Sequence, residues 1–345
     1  MSKRNRVIVN IFLGKGLGGI EKSFADYVGY FKQLGYVSKA IISEDARIGK
    51  FLPDAVEVKE LSNFAEWDLI ASYRLKRLLK KMDADLVVIH GRRAAKLCRY
   101  VHDVPKVGVA HNYSLRYLLP LDYVFAITAD LKKRLCAMGY KKERVFDMPH
   151  MIEVPARKQP QPKGSKLVLG AMGRFVPEKG FNLLLKSLKI LKDRKHKFKL
   201  LLAGDGHEKE LILNMISDLG LTKEVELVGW VDDLNSFYKK INIFCLSSRK
   251  ESFGLVLLEA FAHAKAVVSF KTGGPLHIGE DGKDMLFAEC EDPKDFADKL
   301  EMFFKDPKLM GDLSDVSFKK VSSYYNKAHN LRKLGGSLIK VFKDT

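Results

Sequence analysis

The chain has 345 residues, 60 Lys/Arg against 42 Asp/Glu for a formal net charge of +18, and 46% hydrophobic residues. That length and apolar content exclude a disordered chain and allow two ordinary domains, each with its own core. Four cysteines, Cys98, Cys136, Cys245 and Cys290, stand far apart, which excludes closely spaced metal or redox pairs and fits a reducing compartment.

The chain opens MSKRNR and runs into VIVNIFL (7–13). A run of seven residues is short for a signal peptide and far short of a membrane span, so it reads as a buried strand. GKGLGGIEKSF (14–24) follows, and its Gly14, Gly16 and Gly19 match the fingerprint G-x-G-x-x-G. A backbone without Cβ atoms lets a phosphate approach closely. The glycines alone leave open whether that phosphate belongs to a nicotinamide dinucleotide or to another ligand. Glu44 and Asp45, some 25 residues on, stand roughly where a ribose-binding acid of a dinucleotide site would sit.

Further buried-strand patterns are VSKAIIS (37–43), DLVVIHG (85–91), KVGVAHN (106–112) and YVFAIT (123–128), each followed by a helical stretch. Continuous apolar strands alternating with helices predict a parallel sheet covered on both faces. His90 and His111 end two of these strands. Residues 1–150 hold 27 Lys/Arg and 16 Asp/Glu, a net of +11, so the excess charge is denser in the first half. RLKRLLKK (74–81) places Leu75, Leu78 and Leu79 on one helical face with five cations around the rest. Arg92, Arg93, Lys132, Lys133 and Arg134 extend the basic character. The plain reading is a solvated amphipathic helix; the functional one is attraction to an anionic membrane. Nucleic acid is not expected as a partner, because no helix-turn-helix, zinc-finger or RNP-type pattern is present.

PHMIEVPARKQPQPKGS (149–165) carries four prolines and reads as a linker. A second strand series follows: KLVLGAM (166–172), KLLLAGD (199–205), VELVGW (225–230), INIFCLS (241–247) and AVVSF (266–270). The expected architecture is α/β, with two Rossmann-like domains facing a central cleft. The first domain spans 1–150, the linker 151–165 and the second domain 166–345, its terminal helix expected to pack back on the first. In such sheets ligands lie at the carboxyl ends of the strands.

The second series holds the sharper chemistry. In GRFVPEKGFNLLLKSL (173–188), Gly173, Arg174 and Lys179 flank a short turn that opens a helix. Two cations beside a helix N-terminus suit a diphosphate. In SSRKESFGLVLLEAFAHAKAVVSF (247–270), Glu259 is the only formally charged residue between Phe253 and Ala264. A lone carboxylate in so apolar a helix is costly unless it has a hydrogen-bonding task, such as gripping a ribose diol. Ser252 is a candidate N-cap, and Gly254 lets a ligand approach the first amides. Asp232 and Asp233 lack D-x-D spacing; VDDL reads as a helix cap, and no metal is expected.

Here a resemblance becomes specific. Glu251 and Glu259 form the E-x7-E pattern of retaining GT-B glycosyltransferases. GRFVPEKG, AGDGHEKELI (203–212), the ESFG context and KTGGPLHIGEDGKDMLF (271–287) are similar to the family-4 group of these enzymes. The likeness covers nearly the whole chain, is strongest from 165 to 290, and within the family leans toward lipopolysaccharide-core transferases, partly through DLVVIHGRRA (85–94). The resemblance implies a retaining transfer of a hexosyl group from a nucleoside-diphosphate sugar to a glycan or lipid-linked acceptor, with no further cofactor. It implies that Arg174 and Lys179 bind the donor diphosphate, Glu259 the ribose and Glu251 the sugar hydroxyls. Ser252, Phe253, Gly254 and Leu255 would line the donor, with the Gly254 and Leu255 amides facing phosphate. Gly18 and Gly19 resemble the glycine loop that lies against phosphate and transferred sugar, and His111 the histidine that hydrogen-bonds that sugar. His277 stands where many relatives carry an acid, which puts sugar or acceptor recognition in question, and His150 where they often carry Asn, a change expected to be structural. A cytoplasmic enzyme, attached peripherally to the inner face of the cytoplasmic membrane, is the expected setting. Two other readings stay open: an NAD-dependent oxidoreductase, and a non-catalytic polyanion-binding protein. The first leaves Arg174, Lys179 and Glu259 unexplained; the second rests on charge alone.

Overall fold

The computed structural model describes residues 5–14, 19–44, 46–158, 161–162, 166–251 and 253–344. Gly16, Gly18, Asp45 and Ser252 lie outside them. The chain divides into two compact units, Met1–His150 with Ala328–Thr345, and Met151–Lys327.

The first unit holds β1 (Val7–Phe12), α1 (Gly19–Gln33), β2 (Val37–Ser43), β3 (Glu57–Leu61), α2 (Leu69–Lys81), β4 (Leu86–His90), α3 (Arg92–Leu97), β5 (Lys106–Ala110), β6 (Tyr123–Ala126), α4 (Ala129–Ala137) and β7 (Val145–Asp147). The strands form one parallel sheet in the order β3-β2-β1-β4-β5-β6-β7. β1, β4, β5 and β6 are buried along their whole length, as strands covered on both faces must be. β3 reads EVKEL with a single buried residue because it is an edge strand. On α1 the buried Phe24, Tyr27, Val28 and Phe31 follow the i, i+3, i+4, i+7 stripe of a helix laid on a sheet.

The second unit holds β8 (Leu167–Met172), α5 (Phe181–Asp193), β9 (Phe198–Ala203), α6 (Lys209–Asp218), β10 (Val225–Gly229), α7 (Leu234–Lys240), β11 (Ile243–Leu246), α8 (Leu255–Ala262), β12 (Ala266–Phe270), α9 (Gly273–Ile278), β13 (Leu286–Ala288), α10 (Pro293–Lys305) and α11 (Pro307–Lys320). Its six-stranded parallel sheet runs β10-β9-β8-β11-β12-β13. Phe175, Phe181, Leu184, Leu188, Leu200, Leu202, Phe270 and Phe296 centre its core. Asp292 and Asp306 cap α10 and α11 by accepting from backbone amides, each with proline at the first helical position.

The final helix, α12 (Lys327–Lys343), buries Leu334, Leu338 and Val341 in the first unit. Lys333 pairs with Asp147 at 2.8 Å, and the Arg6 guanidinium lies 4.2 Å from the centre of the Phe342 ring. The second unit therefore ends at Lys327 and not at 345. It begins at Met151, so residues 151–165, read above as a linker, count with it.

Candidate functional site

Both sheets have the doubly wound order, in which successive strands are laid outward to either side of the first. The order reverses between β1 and β4 in the first unit and between β8 and β11 in the second. Loops leaving these neighbouring strands diverge to opposite faces and leave a crevice at the carboxyl ends. His90 ends β4 in the first unit, and Gly173, Arg174 and Glu251 stand in the loops that follow β8 and β11 in the second.

In the second unit β8 leads into Gly173 and Arg174, and β11 into Ser247, Ser248 and Glu251. The Lys179 ammonium, on the β8 side, reaches the Glu251 carboxylate on the β11 side at 2.6 Å, with 22% and 14% of the two side chains exposed. The alkyl stem of Lys179 lies over Gly173: a Cβ there would stand 3.4 Å from Lys179 Cδ. Ser248 Oγ donates to Glu251 Oε2 at 3.5 Å. The two loops are also stitched by backbone. Ser247 Oγ donates to the Lys179 carbonyl at 3.0 Å, and the Arg249 amide to the Glu178 carbonyl at 2.8 Å. Gly180, at φ +61°, passes so close to the Ser247 carbonyl that a Cβ would stand 2.1 Å from its oxygen. Arg174 is exposed and makes no ion pair among the described residues.

A third loop, AGDG after β9, holds the Arg174 turn from behind. The Gly173 amide donates to Ala203 O at 3.0 Å and the Phe175 amide to Asp205 O at 2.8 Å. Gly204 has φ +139°, and a Cβ on it would stand 1.9 Å from Gly173 O. The part of this loop is to fix the backbone that carries Arg174.

Glu259 is 6% exposed on α8, among the buried Leu257, Leu258, Ala260 and Phe261. Burial, and after it the Glu259 charge, holds the Tyr238 hydroxyl well above its ordinary value. The cap position of α8 is Gly254, at φ +95°, which brings no side-chain acceptor to the first amides; Ser252, the expected cap, lies outside the described residues. Phe253 is buried, and Leu255 is the first helical residue. Asp233 caps α7 by accepting from the Ser236 amide at 3.1 Å. His277 is exposed on α9.

In the first unit Gly19 opens α1, and a side chain added to it would meet nothing within 4 Å. β4 and β5 deliver His90 and His111. His90 Nδ1 and His111 Nε2 are 3.0 Å apart, and the rings are stacked at 5.2 Å between centroids. His150 continues the stack, 6.4 Å from His111. The Phe24 and Tyr27 rings pack edge-on against His90 at 5.4 Å. Burial, and then the neighbouring His150, lowers His90 to about 3; burial, then His90 and His150, holds His111 well below the usual imidazole range. Both rings are neutral at physiological pH, so one donates and the other accepts. His90 Nε2 is buried with no partner among the described residues. Were it protonated it would be a buried orphan donor, a rarer and costlier state than a bare lone pair. We therefore assign the proton to His90 Nδ1, donating to His111 Nε2. His111, 5% exposed against 1% for His90, then carries its own proton on Nδ1. The stack places His90 and His150, the latter expected to be structural, both beside His111.

A cavity of about 500 Å³ elsewhere in the second unit is lined by Lys199, Leu201, Glu226, Phe237 and Lys240. It lies against β8, β9, β10 and α7. Its Lys199 and Glu226 satisfy each other at 2.5 Å, and none of the strand-end residues lines it.

The fold defines a class: an α/β protein of two Rossmann-like units, each with a parallel sheet whose switch point opens at the carboxyl ends of its strands. Residues 155–319 match the model of the family described as Glycosyl transferases group 1, so that segment is a group 1 domain, and Arg174, Lys179, Glu251 and Glu259 all fall within it. The chain is 27% identical over 318 residues to the lipopolysaccharide core biosynthesis glycosyltransferase LpsE of Rhizobium meliloti (strain 1021), covering 89% of this chain and 92% of that protein. The crystal structure of a glycosyltransferase from Rickettsia africae ESF-5 superposes with a TM-score of 0.83 at 18% identity, covering 99% of this chain and 100% of that one. Anabaena Alr3699/HepE in complex with UDP-glucose superposes at 0.79 with 17% identity, covering 97% and 99%.

Proposed function

We propose that the chain is a retaining, metal-independent glycosyltransferase of family 4. It moves a hexosyl group from a nucleoside-diphosphate sugar to a glycan or lipid-linked acceptor in the synthesis of lipopolysaccharide or a related envelope glycan. One observation carries the reading: Arg174, Lys179 and Glu251 gather at a strand switch point inside a group 1 domain. The likeness to LpsE over most of both chains supports the envelope setting, and the neighbour crystallised with UDP-glucose supports the donor class.

In this reading the bond from the anomeric carbon to the diphosphate breaks, the diphosphate leaves with the electron pair, and an acceptor hydroxyl oxygen bonds to the anomeric carbon on the same face, its proton passing to the departing phosphate oxygen. Arg174 and Lys179 meet the charge that grows on it, together with the first amides of α8; a well-placed donor of this kind is worth roughly 3 kcal/mol. Glu251, held by Lys179, accepts from the sugar hydroxyls. Glu259 accepts from the ribose diol. His111 donates from Nδ1 to a sugar oxygen, and the Gly18–Gly19 backbone lies against phosphate and sugar. No helix among the described residues is long and apolar enough to cross a membrane; the first unit docks by its basic charge on the inner face of the cytoplasmic membrane, where a lipid-linked acceptor is presented.

Thermal shift against UDP, GDP, ADP and NAD tests the donor class: a nucleoside diphosphate raises the melting temperature and NAD does not. Product NMR then reads the anomeric configuration, with activity measured in EDTA. Inversion at the anomeric carbon, or loss of activity in EDTA, would overturn the reading.

A further inference from the structure

We infer that residues 64–73 form a lipid-inserting wedge that seats the first unit on an anionic bilayer. The inference rests on the membrane attachment proposed above and names the surface that performs it. Five large apolar side chains in this one segment face solvent: Phe64 at 92% exposure, Trp67 at 80%, Leu69 at 63%, Ile70 at 67% and Tyr73 at 65%. Exposed apolar patches of this density on a soluble unit mark an interaction surface.

The segment is built, not loose. Asp68 caps α2, its Oδ1 accepting from the Ala71 amide at 2.8 Å and its Oδ2 from the Phe64 amide at 3.3 Å. Ser72 Oγ donates to the Asp68 carbonyl at 3.0 Å. The inner face of α2 is already spent: Ala71, Ser72, Leu75 and Leu79 are buried. The outward face therefore begins apolar, with Leu69, Ile70 and Tyr73, and ends basic, with Arg74, Lys76, Arg77, Lys80 and Lys81 all exposed. No acid lies between Asp68 and Asp83. The acid inside the patch, Glu66, is held by Arg92 at 3.0 Å and Lys96 at 2.6 Å.

Charge chooses the occupant. An apolar socket on a protein partner would have to desolvate the cations that follow Tyr73, or supply acids to meet them. A bilayer interface takes both ends of the face at once: Trp and Tyr rings sit at headgroup depth, and Lys/Arg lie against lipid phosphates. The net +11 of residues 1–150 steers the unit toward that plane.

The test uses the full chain carrying Trp230→Phe, which leaves Trp67 as the only tryptophan. Its emission is read with vesicles of phosphatidylcholine and phosphatidylglycerol in equal parts, and with phosphatidylcholine alone. With the anionic vesicles the emission moves to the blue and is quenched by bromines carried on the acyl chains; high salt and neutral vesicles weaken both effects. Phe64→Ser, Ile70→Ser and Tyr73→Ser together lower vesicle partition about tenfold or more, while stabilisation by UDP stays unchanged. Three results overturn the wedge: co-sedimentation with anionic vesicles while Trp67 emission stays put; no association at low salt; or a wild-type dimer that the triple substitution converts to monomer, which would give the patch to a second copy of this chain. The donor reading fails separately, if UDP does not stabilise a protein whose Trp67 still inserts.

Discussion

Lys179 and Glu251 are expected to respond to substitution with opposite signs. The ammonium and the carboxylate stand 2.6 Å apart and are largely withdrawn from water. Lys179→Ala removes a charged donor from the diphosphate and leaves the carboxylate uncompensated beside it. A hydrogen bond to a charged group is worth about 1.5–3 kcal/mol, a loss of roughly 10- to 150-fold in UDP affinity. Glu251→Gln has the reverse effect on the nucleotide. It removes a negative charge near the diphosphate and frees the ammonium. Two unit charges 4 Å apart interact by about 4 kcal/mol at an effective dielectric of about 20. Water reaching both groups cuts this toward about 1 kcal/mol, which tightens UDP roughly fivefold. Transfer falls in both variants, because Glu251→Gln loses the acceptor for the sugar hydroxyls. Titration calorimetry with UDP and a transfer assay on the same preparations read the two effects, with circular dichroism as the control for folding. Unchanged UDP affinity in Lys179→Ala, or weakened UDP binding in Glu251→Gln, would refute the assignment.

Three further outcomes follow from the geometry. His90→Leu should lower kcat at least about tenfold with UDP affinity unchanged, and His90→Asn, whose amide nitrogen takes the place of Nδ1, should restore much of it; an imidazole nitrogen spectrum showing His111 protonated on Nε2 would sink the tautomer assignment. Gly204→Ala should lower stability by about 1–3 kcal/mol from its positive φ alone, read as a denaturant midpoint, and should weaken UDP binding because the Gly173–Arg174 turn must move; an unchanged midpoint contradicts the interlock. Stability should fall as the pH drops below about 6.5, because the unfolded chain takes up a proton at His90 that the folded chain, with His90 lowered to about 3, refuses. At pH 5 this amounts to about 2 kcal/mol for His90, by about 1.4 kcal/mol per pH unit. Glu57, Glu66 and Glu301, all lowered by their cationic partners, add losses only below about 4.5. Denaturant curves from pH 7 to 5 test this, and His90→Phe should make them shallower, with His111, His150 and His263, also lowered by burial, supplying the slope that remains.

The sequence disclosed what repeats and hid what does not. Ten strands were legible because buried parallel strands are unbroken apolar runs. β3 was not, since an edge strand reading EVKEL has solvent on its outer side, and β7 and β13, three residues each, are shorter than any pattern. At the site, residue types and spacing pointed to Arg174, Lys179, Glu251 and Glu259, and the switch-point topology supplies the reason those loops meet. The Lys179–Glu251 pair and the His90–His111 bond were illegible, because each joins residues on different strands and nothing in the local pattern marks the partner. The exposed wedge was illegible for a different reason. Apolar residues at 64–73 predict burial, and only the packing of α2 through Leu75 and Leu79 reveals which ones were left out.

The return of α12 to the first unit bears on how the protein is made. Residues 151–327 are a continuous stretch and can complete their core as soon as they leave the ribosome. The first unit cannot. Its 150 leading residues must wait through the synthesis of the whole second unit before Leu334, Leu338 and Val341 arrive to cover their place on it. Closing that gap joins residues about as distant along the chain as the chain allows, a slow step by the logic of contact order. Until then an apolar surface stays uncovered. The point at which the segment crosses back is prepared in advance: Ile152 accepts from the Lys327 amide at 3.0 Å and donates to Tyr325 O at 2.9 Å. The outgoing and returning segments are thereby bonded to each other within the second unit, and its completed fold delivers the last helix to the half-finished one.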